Sequence, residues 1–103
     1  QSFQNGTLIP SIQPQTIADG LLTSLGSLTY PIIMENVSDV VTADEPAIID
    51  AMKLVWERMK IVIEPSSAVA VAVALSGLEA VKGKKVGIII SGGNVDLNKL
   101  PWS

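Results

Sequence analysis

No cysteine and no histidine occur anywhere in this 103-residue sequence. The first absence excludes disulfide frameworks and thiolate chemistry but leaves the redox compartment open; a reducing cytosol is merely compatible with it, and a cytoplasmic location is the expectation. The second removes the commonest general base and metal ligand, and no hydrolase triad or zinc site can be assembled from these residues alone. Positive charge is also scarce: seven Lys and Arg against ten Asp and Glu leave a net charge of −3. The five cations from Arg58 to Lys85 are scattered, whereas binding nucleic acid needs them clustered. Long apolar runs are missing too. The most weakly polar stretch, Ala68 to Leu78, falls far short of the roughly 20 residues needed to cross a bilayer, so no membrane partner is expected. The start, Gln1-Ser2-Phe3-Gln4-Asn5-Gly6, has no initiating Met, no charged n-region and no apolar h-region, and reads as an internal start within a longer chain.

What is present is apolar for its size, 48% hydrophobic with 17% charged. One small domain or a piece of a larger one is implied, with more apolar surface than the chain can cover by itself. The most informative stretch is Ser91-Gly92-Gly93-Asn94-Val95-Asp96, which follows the apolar run Val86-Gly87-Ile88-Ile89-Ile90. A short β-branched strand that empties into a serine and two glycines places a hydroxyl and bare backbone amides at a strand's carboxyl end, where open α/β sheets bind ligands.

Residues 1–16 carry Gly6, Pro10 and Pro14 and read as an extended connection; residues 17–103 read as an α/β segment. Between Thr16 and Leu28, Gly20 and Gly26 interrupt an apolar pattern, which fits a short helix or a tight loop that Pro31 stops. Val37 to Thr42 is β-branched and predicts a strand. Thr42-Ala43-Asp44-Glu45 has capping-box spacing, and Ile48, Met52, Val55 and Met59 then recur at helical intervals, predicting an amphipathic helix that ends near Lys60. The run Ala68 to Leu75 alternates Ala and Val with the period of a strand. Its length, its alanines, the serines before it and Gly77 near its end favour a buried helix. The order strand, helix, helix, strand predicts a sheet flanked by helices.

A serine and two glycines on their own can be mere loop punctuation. Their company changes the balance, because Ala18-Asp19-Gly20 and Ile63-Glu64-Pro65-Ser66 are further clusters of small and polar residues set in apolar sequence. Three such interruptions in one short chain point to convergence on one cavity.

Together, Thr16-Ile17-Ala18-Asp19-Gly20, Trp56-Glu57-Arg58-Met59-Lys60, Ile63-Glu64-Pro65-Ser66 and Ser91-Gly92-Gly93-Asn94-Val95-Asp96 resemble the C-terminal third of the serine racemases and threonine/serine dehydratases. These are pyridoxal phosphate enzymes of the tryptophan synthase β type (fold type II). The resemblance covers nearly the whole chain and implies the C-terminal segment of the large, cofactor-binding domain. It implies that the Ser91 hydroxyl meets the pyridine nitrogen of pyridoxal 5'-phosphate, with Gly20 and Gly92 lining the cofactor. A neutral hydroxyl at that nitrogen, in place of a carboxylate, suits β-elimination from serine or threonine. Glu64 matches an acidic residue near the ring; equally, a carboxylate at a helix N-terminus is favoured by the helix dipole. Thr23 matches a position that contacts substrate. Lys60 and Asn94 match positions that meet an activating nucleotide, ATP, at a dimer interface in animal serine racemases, although Lys60 is also a good last-turn residue for neutralising a helix C-terminus.

The cofactor-linking lysine, the phosphate loop and the acidic ligands for a Mg or Ca ion lie upstream of Gln1 in this family. None of the six lysines here takes the Schiff-base role, and no metal ligand is assigned in this chain. The implied activity is a serine/threonine ammonia-lyase, with serine racemisation as a second outcome, in a homodimer completed by an N-terminal remainder. A hydroxyaspartate ammonia-lyase is the rival within the family and needs an extra cation for the second carboxylate. A noncatalytic cofactor-binding or interface module is the rival from another class. The segment by itself is expected to leave the apolar faces of its helices open.

Overall fold

The computed structural model describes all 103 residues as four α-helices joined by irregular segments: α1 (Ser2–Asn5), α2 (Thr29–Asn36), α3 (Glu45–Met59) and α4 (Pro65–Leu75). Two 3₁₀ turns, Asp19–Leu21 and Glu79–Val81, complete the regular structure, and there are no strands. The sheet expected from Val37–Thr42 and Val86–Ile90 is therefore not formed. A strand is defined by hydrogen bonds to a neighbouring backbone, and these two segments pair neither with each other nor with anything else here. Their side chains are correspondingly open, with Ile89 84% exposed.

The helical expectations held better. α3 begins at Glu45 and ends at Met59, but its cap is Asp44 and not Thr42: the Asp44 carboxylate accepts from the Ala47 N–H at 2.8 Å, and Pro46 occupies the first turn, where its missing N–H costs nothing. Ile48, Met52 and Val55 form the buried face, together with Ala51. Met59, the fourth member of the periodic set, is 61% exposed because the helix stops beside it. Lys60 terminates α3 in the left-handed region at φ 58°, a conformation unfavourable for a side chain with a Cβ.

α4 resolves the Ala/Val ambiguity. Ala68 and Ala72, one helical turn apart, are buried against α3, whereas Ala70, which a strand would place on the same face, is exposed. The small side chains let α4 lie close on α3, and with Ile63 from the intervening link they form one core of seven buried residues. Trp56 closes one end of it, donating from Nε1 to the Ile63 carbonyl at 2.9 Å and meeting Trp102 edge-on at 5.2 Å between ring centroids.

Two further departures are local. Pro31 does not stop a helix but lies in the first turn of α2, where no intrahelical donor is lost. Within the extended connection, residues 2–5 make a single helical turn ended by Gly6 at φ 72°. The molecule is a slab of 39 × 36 × 20 Å with 7609 Å² of accessible surface; a compact monomer of this mass would expose roughly 5,500 Å². Only 10 of 103 residues are buried, so the apolar excess foreseen from composition lies on the surface.

Candidate functional site

The three clusters of small and polar residues meet at the N-terminus of α4. Pro65, Ser66 and Ser67 form its first turn, and consecutive helical residues point about 100° apart, so the two serines face different neighbours. The Ser66 hydroxyl accepts from the Gly20 N–H at 2.9 Å. The Ser67 hydroxyl accepts from the Ser91 N–H at 3.0 Å. Glu64, the residue that caps α4, donates its own N–H to the Gly92 carbonyl at 3.0 Å, and its carboxylate accepts from the Asn94 N–H in a long contact of 3.4 Å. One helix end thus holds both the Gly20 turn and the Ser91–Asn94 turn.

Close approach explains the glycines. A Cβ at Gly20 would lie 2.9 Å from the Ser66 hydroxyl oxygen and would break the bond that anchors the turn. A Cβ at Gly92 would lie 2.6 Å from a Glu64 carboxylate oxygen, and one at Gly93 would run into the carbonyl oxygen of Val62. The last contact is with backbone, which cannot swing aside.

The Gly20 turn has a second anchor. Glu45, in the first turn of α3, accepts from the Ile17 N–H at 3.0 Å. The Thr16 hydroxyl and this N–H together hold its carboxyl below the usual glutamate range, outweighing a small opposing effect of desolvation. Thr16 also braces the turn from within, its hydroxyl accepting from the Ala18 N–H at 3.1 Å. Ala18 is fully buried, and Ile17 beside it packs against the α3–α4 core.

Ser91 has a pinned backbone and an exposed side chain whose hydroxyl makes no hydrogen bond within the chain. Ser91, Gly92, Gly20 and Glu64 are therefore gathered around the N-terminus of α4. Glu64 does not cap α4 through its side chain; its carboxylate is turned onto the Gly92–Asn94 backbone. Thr23 stands apart. It lines a cavity of about 500 Å³ with Leu21, Ser24, Leu25 and Tyr30, and its carbonyl accepts from the Ser11 hydroxyl at 2.6 Å. Lys60 forms no ion pair within the chain, and Asn94 borders a recess of about 300 Å³ with Asp19, Asp96 and Lys99.

Sequence reasoning placed Ser66 in a converging polar cluster and read both serines as a helix start, but missed their hold on the two turns. It also passed over Glu45 and Thr16 as a brace. The signal available was the pair of adjacent hydroxyls after Pro65, each able to accept from a loop amide once the helix turns them apart.

Residues 1–92 match the family model for pyridoxal-phosphate dependent enzymes, and the chain belongs to that family. It is 50% identical over 103 residues to a β-hydroxyaspartate dehydratase of Paracoccus denitrificans, covering all of this chain and 33% of that protein. It is 61% identical over 90 residues to a serine racemase of Dictyostelium discoideum, covering 85% of this chain and 28% of that one. Among solved structures, maize serine racemase superposes with a TM-score of 0.88 at 46% identity, over 95% of this chain and 32% of the other. The chain spans about a third of the length of the curated relatives it matches.

The donor set fits one side of the family's cofactor. A free hydroxyl on a pinned backbone is suited to a ring nitrogen, whereas the Cβ positions of Gly20 and Gly92 face Ser66 and Glu64 of the chain itself. No group of three or more Asp, Glu, His or Cys side chains that could hold a metal ion is present, and no helix is long and apolar enough to cross a membrane.

Proposed function

We propose that this chain forms the ring-nitrogen wall of the active site of an ammonia-lyase acting on L-serine and L-threonine, with racemisation of serine as a second outcome of the same proton removal. The observation that carries the reading is Ser91: an unpartnered hydroxyl on a backbone fixed by Ser67, at the one point where three segments converge. Pyridoxal 5'-phosphate, when bound, supplies an electron sink for the negative charge left at the substrate α-carbon. Ser91 would hydrogen-bond the ring nitrogen, and being neutral it would not stabilise a full positive charge there. Gly20 and Gly92 would let the ring approach backbone, and Glu64 would hold the Ser91–Asn94 turn in register with α4. Thr23, on the segment that leaves Gly20, would offer its hydroxyl to the substrate.

In the reaction, the α-proton leaves, the β-hydroxyl departs as water, and the resulting enamine hydrolyses to a 2-oxo acid and ammonia. The lysine that moves the proton is proposed to lie in an N-terminal remainder of the protein, which would also cover the open apolar faces and pair with Val86–Ile90. That remainder would supply any ligands for a Mg or Ca ion. A homodimer in which Lys60 and Asn94 contact ATP is the assembly that the family resemblance favours.

The test is Ser91→Ala in the full-length protein. Cofactor absorbance should shift and the release of ammonia from serine should fall while the protein stays folded; unchanged absorbance and rate would overturn the assignment. A second reading, hydroxyaspartate as substrate, draws support from the Paracoccus relative that matches the whole chain. No Lys or Arg occurs in residues 16–28 to meet a second carboxylate. Comparing ammonia release from serine, threonine and 3-hydroxyaspartate separates the two.

A further inference from the structure

We infer that Ser67 is a positioning residue that aims the Ser91 hydroxyl at the cofactor ring; the inference rests on the proposed placement of Ser91 beside the ring nitrogen. Ser67 is 2% exposed, packed into the first turn of α4 about 100° round the helix from Ala68. A small apolar residue would suit that packing. A hydroxyl placed there costs burial free energy unless it is hydrogen-bonded, and the bond it makes is to the Ser91 N–H, 24 residues away.

That bond has a geometric consequence. The Ser91 amide is fixed by Ser67, and the carbonyl of the following residue, Gly92, is fixed by the Glu64 N–H. With the chain held on both sides of the Ser91 Cα, the direction of its Cα–Cβ bond is set, and the hydroxyl is left to rotate on a fixed base. Because Gly92 and Gly93 follow immediately, the turn has no Cβ of its own to stiffen it after Ser91. Without Ser67, the Ser91 backbone would lose one of its two tethers at the residue whose aim matters.

The test is a double-mutant cycle on the full-length protein, read by titrating pyridoxal 5'-phosphate into the apoprotein and following the emission of the bound cofactor. Ser67→Ala should weaken cofactor binding about fivefold, the equivalent of one hydrogen bond, and alter the emission. In the Ser91→Ala background the same substitution should change neither. An equal loss in both backgrounds would mark Ser67 as merely structural and overturn the inference, as would a Ser67→Ala protein that binds like wild type while Ser91→Ala binds worse. Should Ser91→Ala alone leave binding and emission unchanged, the parent reading fails, and that failure is read on a different protein. If Ser67→Ala does not fold, Ser67→Cys, a much weaker acceptor of similar size, enters the same cycle under the same criteria.

Discussion

The α3–α4 pair and the Val86–Ile90 run are both rich in branched aliphatic residues, yet they end in opposite conditions. In the helical pair and the link that joins it, Met52 and Ile63 are completely buried; in the run, every large side chain is at least 39% exposed, and Ile89 reaches 84%. A helix satisfies its own backbone and needs a neighbour only for one face. A strand needs a neighbour for its backbone as well as its faces. The helical half therefore satisfies its own backbone, whereas the strand-like half has no backbone partner and keeps its side chains exposed.

The largest expected effects come from breaking that contrast directly. Met52→Ala, which opens a cavity at the centre of the α3–α4 core, should cost about 2–5 kcal/mol in a urea titration of the full-length protein. Ile89→Ser should change the 103-residue chain by no more than about 0.5 kcal/mol, as an exposed substitution does. In the full-length protein it should destabilise measurably if a remainder covers the run. Equal and negligible effects of Ile89→Ser in both settings would mean that the apolar run stays open in the intact protein.

Gly93→Ala sharpens the comparison at the border between the two halves. The new Cβ would collide with the Val62 carbonyl in the link between α3 and α4, so the Ser91–Asn94 turn would have to lift from the core edge. A loss of about 2 kcal/mol is expected in the same titration. A neutral result would show the turn to be loosely seated and would weaken the case for a fixed Ser91.

What could be read from the residues follows the same division. The body and end of α3 were legible from its apolar period, whereas the capping-box spacing put the cap at Thr42 in place of Asp44. α4 was legible from composition once length decided against a strand. The two strands were not wrong in chemistry, but pairing is a relation between segments, and no residue within Val37–Thr42 or Val86–Ile90 reveals whether its partner is in the same chain. α2 was missed because Pro31 was read as a breaker, although a proline in a first turn starts helices as readily as it ends them. The convergence of Gly20, Glu64 and Ser91 could be anticipated from their small, polar character in apolar surroundings. The serines that enforce it show only as two adjacent hydroxyls after Pro65, because their partners 24 and 46 residues away leave no periodic trace.

The smallest effect is expected at Glu45, and its sign depends on pH. The Thr16 hydroxyl and the Ile17 N–H favour the charged carboxylate, so its pKa in the folded protein is below its ordinary value of 4.5. A carboxyl with a depressed folded pKa adds stability above its unfolded pKa, and that contribution is lost as pH falls through the lowered value. Glu45→Gln keeps an acceptor oxygen but removes the charge. The variant should be slightly less stable than wild type at pH 7, and the gap should close in acid, below the glutamate range. Because the carboxylate is at the surface, the difference at pH 7 should also shrink in high salt. Protection of the Ile17 amide from hydrogen exchange should fall with the same pH dependence, since that amide donates directly to the carboxylate. A gap that persists unchanged in acid would show that Glu45 acts on α3 as an ordinary first-turn residue and not as the tether of the Gly20 turn.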